Sequence, residues 1–302
     1  MEIFPKKLLS VVDTKQFRPD KSTHYHLLIN IGAGLIKIGC LAKDSQACLL
    51  LDVYAFPVDK QHPSYIQCLE QLYDEVFFLM RKDWYSVTLS ITNQKFTLLP
   101  HLLLSPKDLM AYMHVVCNVA PSEEVAVFTH ALAKLSVVFA EEATVLDWFR
   151  KRYSNSRFQI IHQVNAMIEG IQLEYPVSVV PLLFIWLDKN HMHIAAHKNG
   201  KLVCYNIFAY ETDEDCLSYL SAVVQVIQFE RHSGKAWVGG YIDKASRFYR
   251  QLKAYMPHAT LKTKIHFLSS SSRLFKKNNP SPMLYFDLVS SLLCQPYSKS
   301  KT

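Results

Sequence analysis

The sequence predicts an α/β protein built from two lobes of similar design. Each half of the 302-residue chain opens with three consecutive strand patterns, which short turns connect as in an antiparallel meander. Each half then continues with a helix and an alternation of strands and helices, so we expect a mixed sheet flanked by helices in each lobe. We expect a polar tail over residues 1–23, the first lobe over 24–175 and the second lobe over 176–302.

Hydrophobic periodicity predicts the elements of the first lobe. Apolar residues from Ile66 to Leu79 are spaced as on one face of a helix. A second helix is expected to begin after Ser105, because serine caps helix N-termini and Pro106 suits a first helical turn. We predict strands at 25–31, 35–42, 47–56, 85–92, 95–100, 124–130, 134–140 and 157–163, and further helices at 142–153 and 165–175.

The second lobe repeats the opening of the first. Asn199 and Gly200, between its second and third strands, are typical of a tight hairpin turn. Apolar residues from Leu217 to Ile227 then recur at helical spacing. We predict strands at 179–188, 192–198, 201–210, 235–242 and 259–265, and helices at 213–230, 243–256 and 283–294.

The composition argues against a membrane-spanning or secreted protein. The longest apolar run, residues 179–187, is about half of the roughly 20 residues that a spanning helix needs. The first residues lack the apolar core and small-residue cleavage site of a secretory signal. Seven scattered cysteines without a C-x-x-C pair favour reduced thiols over disulfides or a zinc site. We therefore expect a cytoplasmic protein with no membrane span.

Glycine is concentrated in one short stretch. The chain has only 8 glycines, and Gly32, Gly34 and Gly39 all lie within "NIGAGLIKIGC" at residues 30–40. Glycine tolerates a positive φ and lets a backbone or a ligand approach closely. The cluster therefore indicates either a tight turn between two strands or a cradle for a phosphate group.

Three segments in fixed order suggest a family. They are the glycine stretch at residues 30–40, "IWLDKNHMHIAA" at 185–196 and "AWVGGYIDKASRFYRQLKAYM" at 236–256. They resemble the first phosphate hairpin, the second phosphate hairpin and the adenosine segment of the actin-like ATPase superfamily, which includes actin, Hsp70 chaperones, sugar kinases and pilus-assembly proteins. The resemblance implies a bilobed actin-like fold of the ribonuclease H-like type. Within that fold the chain is similar to an uncharacterised bacterial family with no assigned activity.

The resemblance also implies a nucleotide site. In this superfamily ATP lies between the lobes against backbone N–H groups of both hairpins, and one carboxylate from each hairpin holds Mg²⁺. Lys37 would contact a phosphate, although a strand lysine can equally be a solvated side chain. Gly239 and Gly240 would admit the adenosine, or serve only as turn glycines. The matching positions are Asn30, Gly32, Gly34, Lys37, Asp188, Gly239 and Gly240.

Two departures from the family pattern weaken this site. Asn30 stands where the first hairpin normally has its acid, and a neutral amide offers no carboxylate charge to a hard cation. In the second hairpin Asp188 is kept, but Met192 and His193 are expected to obstruct a phosphate, with Asn190 preserving the bend in a left-handed conformation. We therefore expect no catalytic residue, no metal site and no cofactor; ATP and Mg²⁺, if they bind, bind weakly.

These features favour a catalytically inactive scaffold or adaptor that binds protein partners. One alternative is an active ATPase or small-molecule kinase in which Asp52 or Asp287 replaces the missing acid. Another is a nucleic-acid or membrane-surface partner that uses the basic residues 273–279 and the C-terminal tail; the net charge of +7 is mild, so nucleic acid is the less favoured partner. We interpret the alternating histidines as ordinary strand and turn residues rather than metal ligands; they are His24, His26, His191, His193 and His197.

Overall fold

The chain folds into two compact units. The computed structural model describes residues 5–32, 34–61, 64–130, 133–175, 180–269, 273–275 and 281–294. Unit 1 comprises Met1–Glu169, Leu268–Asn279 and Asp287–Thr302. Unit 2 comprises Gly170–Phe267 and Pro280–Phe286.

Strands and helices alternate through most of the described chain. The strands are β1 (Lys6–Val12), β2 (Tyr25–Gly32), β3 (Leu35–Ala42), β4 (Cys48–Ala55), β5 (Ser86–Ile91), β6 (Phe96–Pro100), β7 (Glu123–His130), β8 (Leu135–Glu142), β9 (Arg157–His162), β10 (Leu182–Leu187), β11 (His191–Lys198), β12 (Lys201–Ala209), β13 (Lys235–Gly240) and β14 (Ala259–Leu261). The α-helices are α1 (Ser64–Glu75), α2 (Leu109–His114), α3 (Ala143–Arg152), α4 (Gln163–Glu174), α5 (Asp213–Val226), α6 (Arg247–Tyr255) and α7 (Phe286–Ser290). Short 3-10 helices lie at Pro19–His24, Phe77–Met80, His101–Leu103, Arg273–Phe275, Pro282–Tyr285 and Ser291–Leu293.

The main sheet of unit 1 has the strand order β1-β4-β3-β2-β5-β9. β2, β3 and β4 form an antiparallel meander, and β5 and β9 continue the sheet parallel to β2. β1 pairs antiparallel with β4 at the outer edge, so residues 6–12 are part of the sheet and the prediction of a polar tail over 1–23 is wrong there. This strand is largely exposed, and its sequence therefore lacks the alternation that marks a half-buried strand.

A smaller antiparallel sheet in unit 1 has the order β6-β8-β7. α2 packs on it through a core that contains Met113, Val138 and Ala140. α2 begins at Leu109 rather than after Ser105. The Asp108 N–H donates to the Ser105 carbonyl at 3.0 Å, so this segment closes a turn before the helix starts.

The sheet of unit 2 has the order β12-β11-β10-β13-β14. β10, β11 and β12 form an antiparallel meander, and β13 and β14 run parallel to β10. The predicted turn between β11 and β12 is confirmed, with a positive φ at both Asn199 and Gly200. α5 begins at a capping box, in which Thr212 and Asp215 each accept the backbone N–H of the other. α5 and α6 bury Leu220 and Leu252 in the core of this unit.

The two main sheets share one strand order. From β4 to β9 in unit 1 and from β12 to β14 in unit 2, the order is third, second and first strand of the meander, followed by two parallel strands. The prediction that each lobe opens with a three-strand meander and continues with alternating helices and strands is therefore confirmed.

The C-terminal residues do not follow the predicted lobe boundary, because 268–279 and 287–302 belong to unit 1. A Cβ at Gly39 in β3 would lie 3.2 Å from Leu288 Cδ2, which places α7 directly against that strand. The Gln159 side chain in β9 donates to the Cys294 carbonyl at 2.7 Å. The predicted helix at 283–294 is divided into two 3-10 turns with α7 between them.

The cysteines are unpaired thiols, and the described helices lack the combined length and apolarity of a membrane span. All seven cysteines are free, and burial raises the pKa of the Cys48 and Cys216 thiols to about 12. Within the ranges that the structure describes, no helix is both long and apolar enough to cross a membrane.

Candidate functional site

The first glycine hairpin is a tight turn between β2 and β3. Gly34 has a φ of +76°, a conformation that side chains rarely adopt, and its carbonyl accepts the Phe56 N–H at 2.9 Å. A Cβ at Gly32 would lie 3.1 Å from the Cβ of Thr92. Turn geometry and packing within unit 1 thus explain both glycines without a ligand.

Asn30 is buried in the sheet and bonded to its neighbours. Its side-chain nitrogen donates to Ser90 Oγ at 3.2 Å and to Thr92 Oγ1 at 3.0 Å, and only 3% of the residue is exposed. Ser90 is the direct partner of Asn30 in the parallel pairing of β2 with β5. The amide is therefore oriented by two hydroxyl groups of its own sheet.

Lys37 forms a buried ion pair. Its Nζ lies 2.9 Å from Asp287 Oδ2, and the two side chains are 2% and 0% exposed. The Gln163 amide donates to the same carboxylate oxygen at 2.8 Å. Lys37 pairs with Asn30 across β2 and β3, so both side chains emerge on one face of the sheet. The interpretation of Lys37 as a solvated strand residue is wrong.

Asp52 cannot replace the missing acid at Asn30. It pairs with Ile38 across β3 and β4, and because side chains alternate along a strand it emerges on the face opposite Lys37. It is buried, and Oδ2 accepts the Tyr54 hydroxyl at 3.1 Å. Burial and the adjacent Asp52 charge raise the pKa of Tyr54 far above its usual value. Asp287, the other candidate acid, lies on the correct face but is held by Lys37.

In unit 2 Asp188 shapes the second hairpin. Its N–H donates to the His191 carbonyl at 2.8 Å, and its carboxylate accepts the Lys189 N–H at 2.9 Å. The Tyr210 hydroxyl donates to the Asp188 carbonyl at 2.7 Å. Asn190 is not among the described residues with a positive φ, so the bend does not use the left-handed conformation that the sequence suggested.

Met192 and His193 do not fill the turn. Met192 is fully buried in the core of unit 2, and His193, on the opposite face of β11, is 1% exposed with Nδ1 2.8 Å from the Tyr205 hydroxyl. Strand alternation sends the two side chains into separate layers. The expectation that they obstruct the second hairpin is therefore wrong.

The two glycines at the end of β13 serve packing. A Cβ at Gly239 would lie 2.6 Å from Met283 Cε, and the Trp186 indole N–H donates to the Met283 carbonyl at 2.7 Å. Gly240 has a φ of +90°, and a Cβ there would lie 2.0 Å from the Leu187 carbonyl oxygen. The Tyr241 N–H donates to that same carbonyl at 2.7 Å. The surface that the resemblance assigns to adenosine is thus in contact with the chain's own Met283.

The histidines are spread over separate environments. His26 Nδ1 lies 2.6 Å from Ser86 Oγ, and burial lowers the pKa of His197 to about 4. Among the residues that the structure describes, no three His, Cys, Asp or Glu side chains are grouped as a metal site would require. Of the basic segment 273–279 only 273–275 is described, and the C-terminal tail lies outside the described residues.

Sequence reasoning missed the pairing of Lys37 with Asp287, which are 250 positions apart. A signal was present in each segment. Asp287 is the single charged residue of "MLYFDLVSSLLC", and Lys37 is the single charged residue of "LIKIGCLA". Since buried charges are almost always paired, a lone charge in each of two apolar segments is typical of a buried ion pair.

A protein-family profile matches residues 14–259, which is most of the chain. The chain belongs to the DUF3822 family. This family is described as a protein of unknown function. No curated protein matches the chain.

Two solved structures are similar over almost the whole chain. One is a Bacteroides thetaiotaomicron VPI-5482 protein with an actin-like ATPase fold and unknown function; at 17% identity it covers 93% of this chain and 100% of its own, with a TM-score of 0.77. The PilM-PilN type IV pilus biogenesis complex matches at 10% identity over 90% of this chain and 99% of its own, with a TM-score of 0.60. At these identities the likeness shows the fold alone. The actin-like ATPase fold implied by the resemblance is confirmed.

Proposed function

We propose that the chain is a catalytically inactive adaptor that binds a protein partner in the cytoplasm and binds nucleotide weakly or not at all. The observation that carries this proposal is the buried Lys37–Asp287 pair, at the position that the resemblance matches to a phosphate contact. A lysine neutralised by a carboxylate offers a phosphate little net attraction, and the carboxylate itself repels an anion. The free cysteines support a reducing compartment.

The residues of unit 1 do not fit Mg²⁺. This cation prefers carboxylate and water oxygens in octahedral geometry. Asn30 offers a neutral amide whose nitrogen faces Ser90 and Thr92. Lys37 and Gln163 both engage Oδ2 of Asp287, so this face offers Mg²⁺ at most the buried Oδ1 of one carboxylate that is already paired with a lysine. The proposal therefore contains no step that depends on a bound metal.

An exposed apolar surface next to the small sheet of unit 1 supports a protein partner. Leu102 is 97% exposed and Val115 is 85% exposed, and each has a second exposed apolar neighbour, Leu103 and Val116. The Tyr112 hydroxyl of α2 donates to the Leu103 carbonyl at 2.7 Å, which joins the two segments. Grouped exposed apolar side chains are typical of interaction surfaces. The similar PilM structure was itself solved as a complex with PilN.

ATP binding and turnover by the full chain test the inactive state. We expect no Mg²⁺-dependent hydrolysis above the buffer blank and no ATP dissociation constant below about 1 mM by calorimetry. Asp188→Ala provides the comparison, and it should give the same background as the wild type. Mg²⁺-dependent turnover that is lost in Asp188→Ala would instead establish the ATPase or kinase alternative.

Charge substitutions test the apolar surface. In Leu102→Asp/Val115→Asp we expect the partner recovered by cross-linking in cells to fall at least about tenfold, because a carboxylate would have to be desolvated in the contact. Val226→Asp is the matched control, since Val226 is 81% exposed but lies in unit 2. Equal recovery with both variants would show that the partner binds elsewhere.

A further inference from the structure

Unit 2 carries a polar surface pocket of about 540 Å³. The pocket lies at the start of β13, beside Lys235, whereas the two glycines, Gly239 and Gly240, lie at the end of that strand. Its volume is within the range of small-molecule sites, roughly 300–1,000 Å³. The lining residues are Ser233, Lys235, Trp237, His258, Thr260 and Lys262.

Strand pairing places these side chains on one face of the sheet. Trp237 in β13 pairs with Thr260 in β14, and the two strands are parallel. Because side chains alternate, Lys235 emerges on the same face as Trp237, and Lys262 on the same side as Thr260. The Lys262 N–H donates to the Val238 carbonyl at 2.8 Å, which extends the pairing past the end of β14.

The two lysines form no direct ion pair with any described residue. Within the part of the chain that the structure describes, the side chains of Lys235 and Lys262 have no hydrogen bond and no ion pair. Burial lowers the pKa of Lys262, the Glu174 carboxylate raises it, and the neighbouring Lys235 ammonium lowers it by a smaller amount. The Glu174 carboxylate itself accepts the backbone N–H and the imidazole of His266. Two like charges at one pocket are unfavourable until an anion joins them.

Lys262 is held in position by aromatic rings. Its Nζ lies 4.5 Å from the Trp237 ring centre and 5.3 Å from that of Tyr175, and the two ring centres are 3.7 Å apart. Cation–π contacts fix an ammonium without neutralising its charge. The pocket thus offers a positioned cation, a second cation and the hydroxyl groups of Ser233 and Thr260.

We propose that this pocket binds the phosphate group of a small phosphorylated molecule. A phosphate monoester carries close to two negative charges at pH 7, which matches the two lysines, whereas a monocarboxylate neutralises only one. The Ser233 hydroxyl can donate to a remaining phosphate oxygen, and the Thr260 hydroxyl can do so by turning from the His258 carbonyl, to which it donates at 3.5 Å. The site is independent of the adaptor function and of the glycine hairpins.

Titration of the full chain with small anions tests the site. Inorganic phosphate, glycerol 3-phosphate and phenyl phosphate are added in turn, with acetate as the singly charged comparison. We expect at least one phosphate compound to bind with a dissociation constant below about 1 mM and acetate to bind at least about tenfold more weakly. Labelling the 4 tryptophans with 5-fluorotryptophan gives a local readout by fluorine NMR, with Trp237→Phe to assign the Trp237 signal, which should shift selectively.

Charge-removing variants locate the binding. Lys235→Met and Lys262→Met should each weaken binding about tenfold or more, since methionine keeps the apolar stem but loses the charge-assisted contact. Lys201→Met is the matched control, because it removes the same charge from β12, at the opposite edge of the same sheet. It should leave the affinity within about twofold of the wild type.

Several outcomes would overturn the proposal. One is the absence of any phosphate-dependent shift of the Trp237 signal in the wild type, a result that does not depend on whether the variants fold. Another is equal weakening by Lys201→Met, which would indicate attraction by net charge alone. Binding restricted to duplex DNA or heparin, with a steep decrease on adding salt, would assign the surface to a polyanion instead.

Discussion

The main sheets of units 1 and 2 share the order of five strands, but segments near the C-terminus pack against them with different chemistry. In unit 1 the sheet face beside the hairpin is closed by the Lys37–Asp287 ion pair. In unit 2 the end of β13, the counterpart of β5, is covered by apolar packing of Met283 on Gly239. One topology therefore tolerates either a buried ion pair or apolar packing against its sheet.

The comparison separates what a shared topology requires from what a ligand would require. Gly34, in the turn between β2 and β3, and Gly240, the last residue of β13, are needed because each has a positive φ. Gly39 and Gly239 are needed because Leu288 and Met283 pack against them. A glycine pattern inherited with the fold can thus persist on backbone and packing grounds alone.

The largest expected effect comes from removing one partner of the Lys37–Asp287 ion pair. Lys37→Met should lower the free energy of unfolding of unit 1 by about 3–5 kcal/mol, because it leaves the Asp287 carboxylate buried without its cation. Lys37→Met/Asp287→Leu should recover most of this loss, since an apolar pair needs no compensation. Urea unfolding measures both variants. Trp84 and Trp148 lie in unit 1 and report on its transition.

An exposed ion pair provides the control for that prediction. Arg81 and Asp83 are 2.8 Å apart but 39% and 47% exposed, so Arg81→Met should cost less than about 1 kcal/mol. A loss below about 1 kcal/mol in Lys37→Met as well would mean that the buried pair does not hold unit 1 together.

Two glycine substitutions at the end of β13 test the packing of unit 2. Gly240→Ala should cost about 3 kcal/mol, because a Cβ there meets a backbone carbonyl at a positive φ. Gly239→Ala should cost only about 1 kcal/mol, because it meets the flexible end of Met283. Trp186 and Trp237 follow the unfolding of unit 2. Equal costs would contradict the different reasons assigned to the two glycines.

A pH dependence of about 2 kcal/mol, smaller than the effects of Lys37→Met and Gly240→Ala, is expected for unit 1. Burial lowers the pKa of His162 to about 3, and its Nδ1 accepts the Val164 N–H at 3.2 Å, so the folded state holds the neutral ring. Protonation favours the unfolded state, in which the pKa is near 6.5. Stability is therefore complete above about pH 6.5 and decreases below it, by about 2 kcal/mol between pH 7 and 5.

Substitution of His162 tests whether this side chain causes the pH dependence. His162→Gln should flatten the pH dependence of urea unfolding over this interval, with the wild type measured in the same buffers. His101→Gln is the comparison, because the His101 side chain is exposed. An unchanged slope in His162→Gln would show that another group causes the acid sensitivity.

The sequence was sufficient for the meanders and for the alternation that follows them, because period-2 and period-3.6 patterns are local. β1 was missed because an exposed edge strand has no such pattern. The departure at Asn30 could be read directly from the resemblance. The partner of Lys37 could not be predicted from the sequence, because the contact joins positions 250 residues apart and depends on where α7 packs.

Side-chain direction was the other source of error. Met192 and His193 were assigned to the turn on proximity in sequence, but the first residues of β11 already alternate between the core and the opposite face. The same rule, applied to β3 and β4, would have excluded Asp52 as a replacement for the missing acid, once the strand register was known.

A crystal of the full chain soaked in ATP and Mg²⁺ tests the central claim most directly. We predict that Lys37 Nζ stays bonded to Asp287 Oδ2, that Asn30 stays bonded to Ser90 and Thr92, and that no triphosphate density is present beside Gly34. A triphosphate bonded to the Gly34 backbone with the Lys37 ammonium moved from Asp287 to a phosphate oxygen would contradict the account.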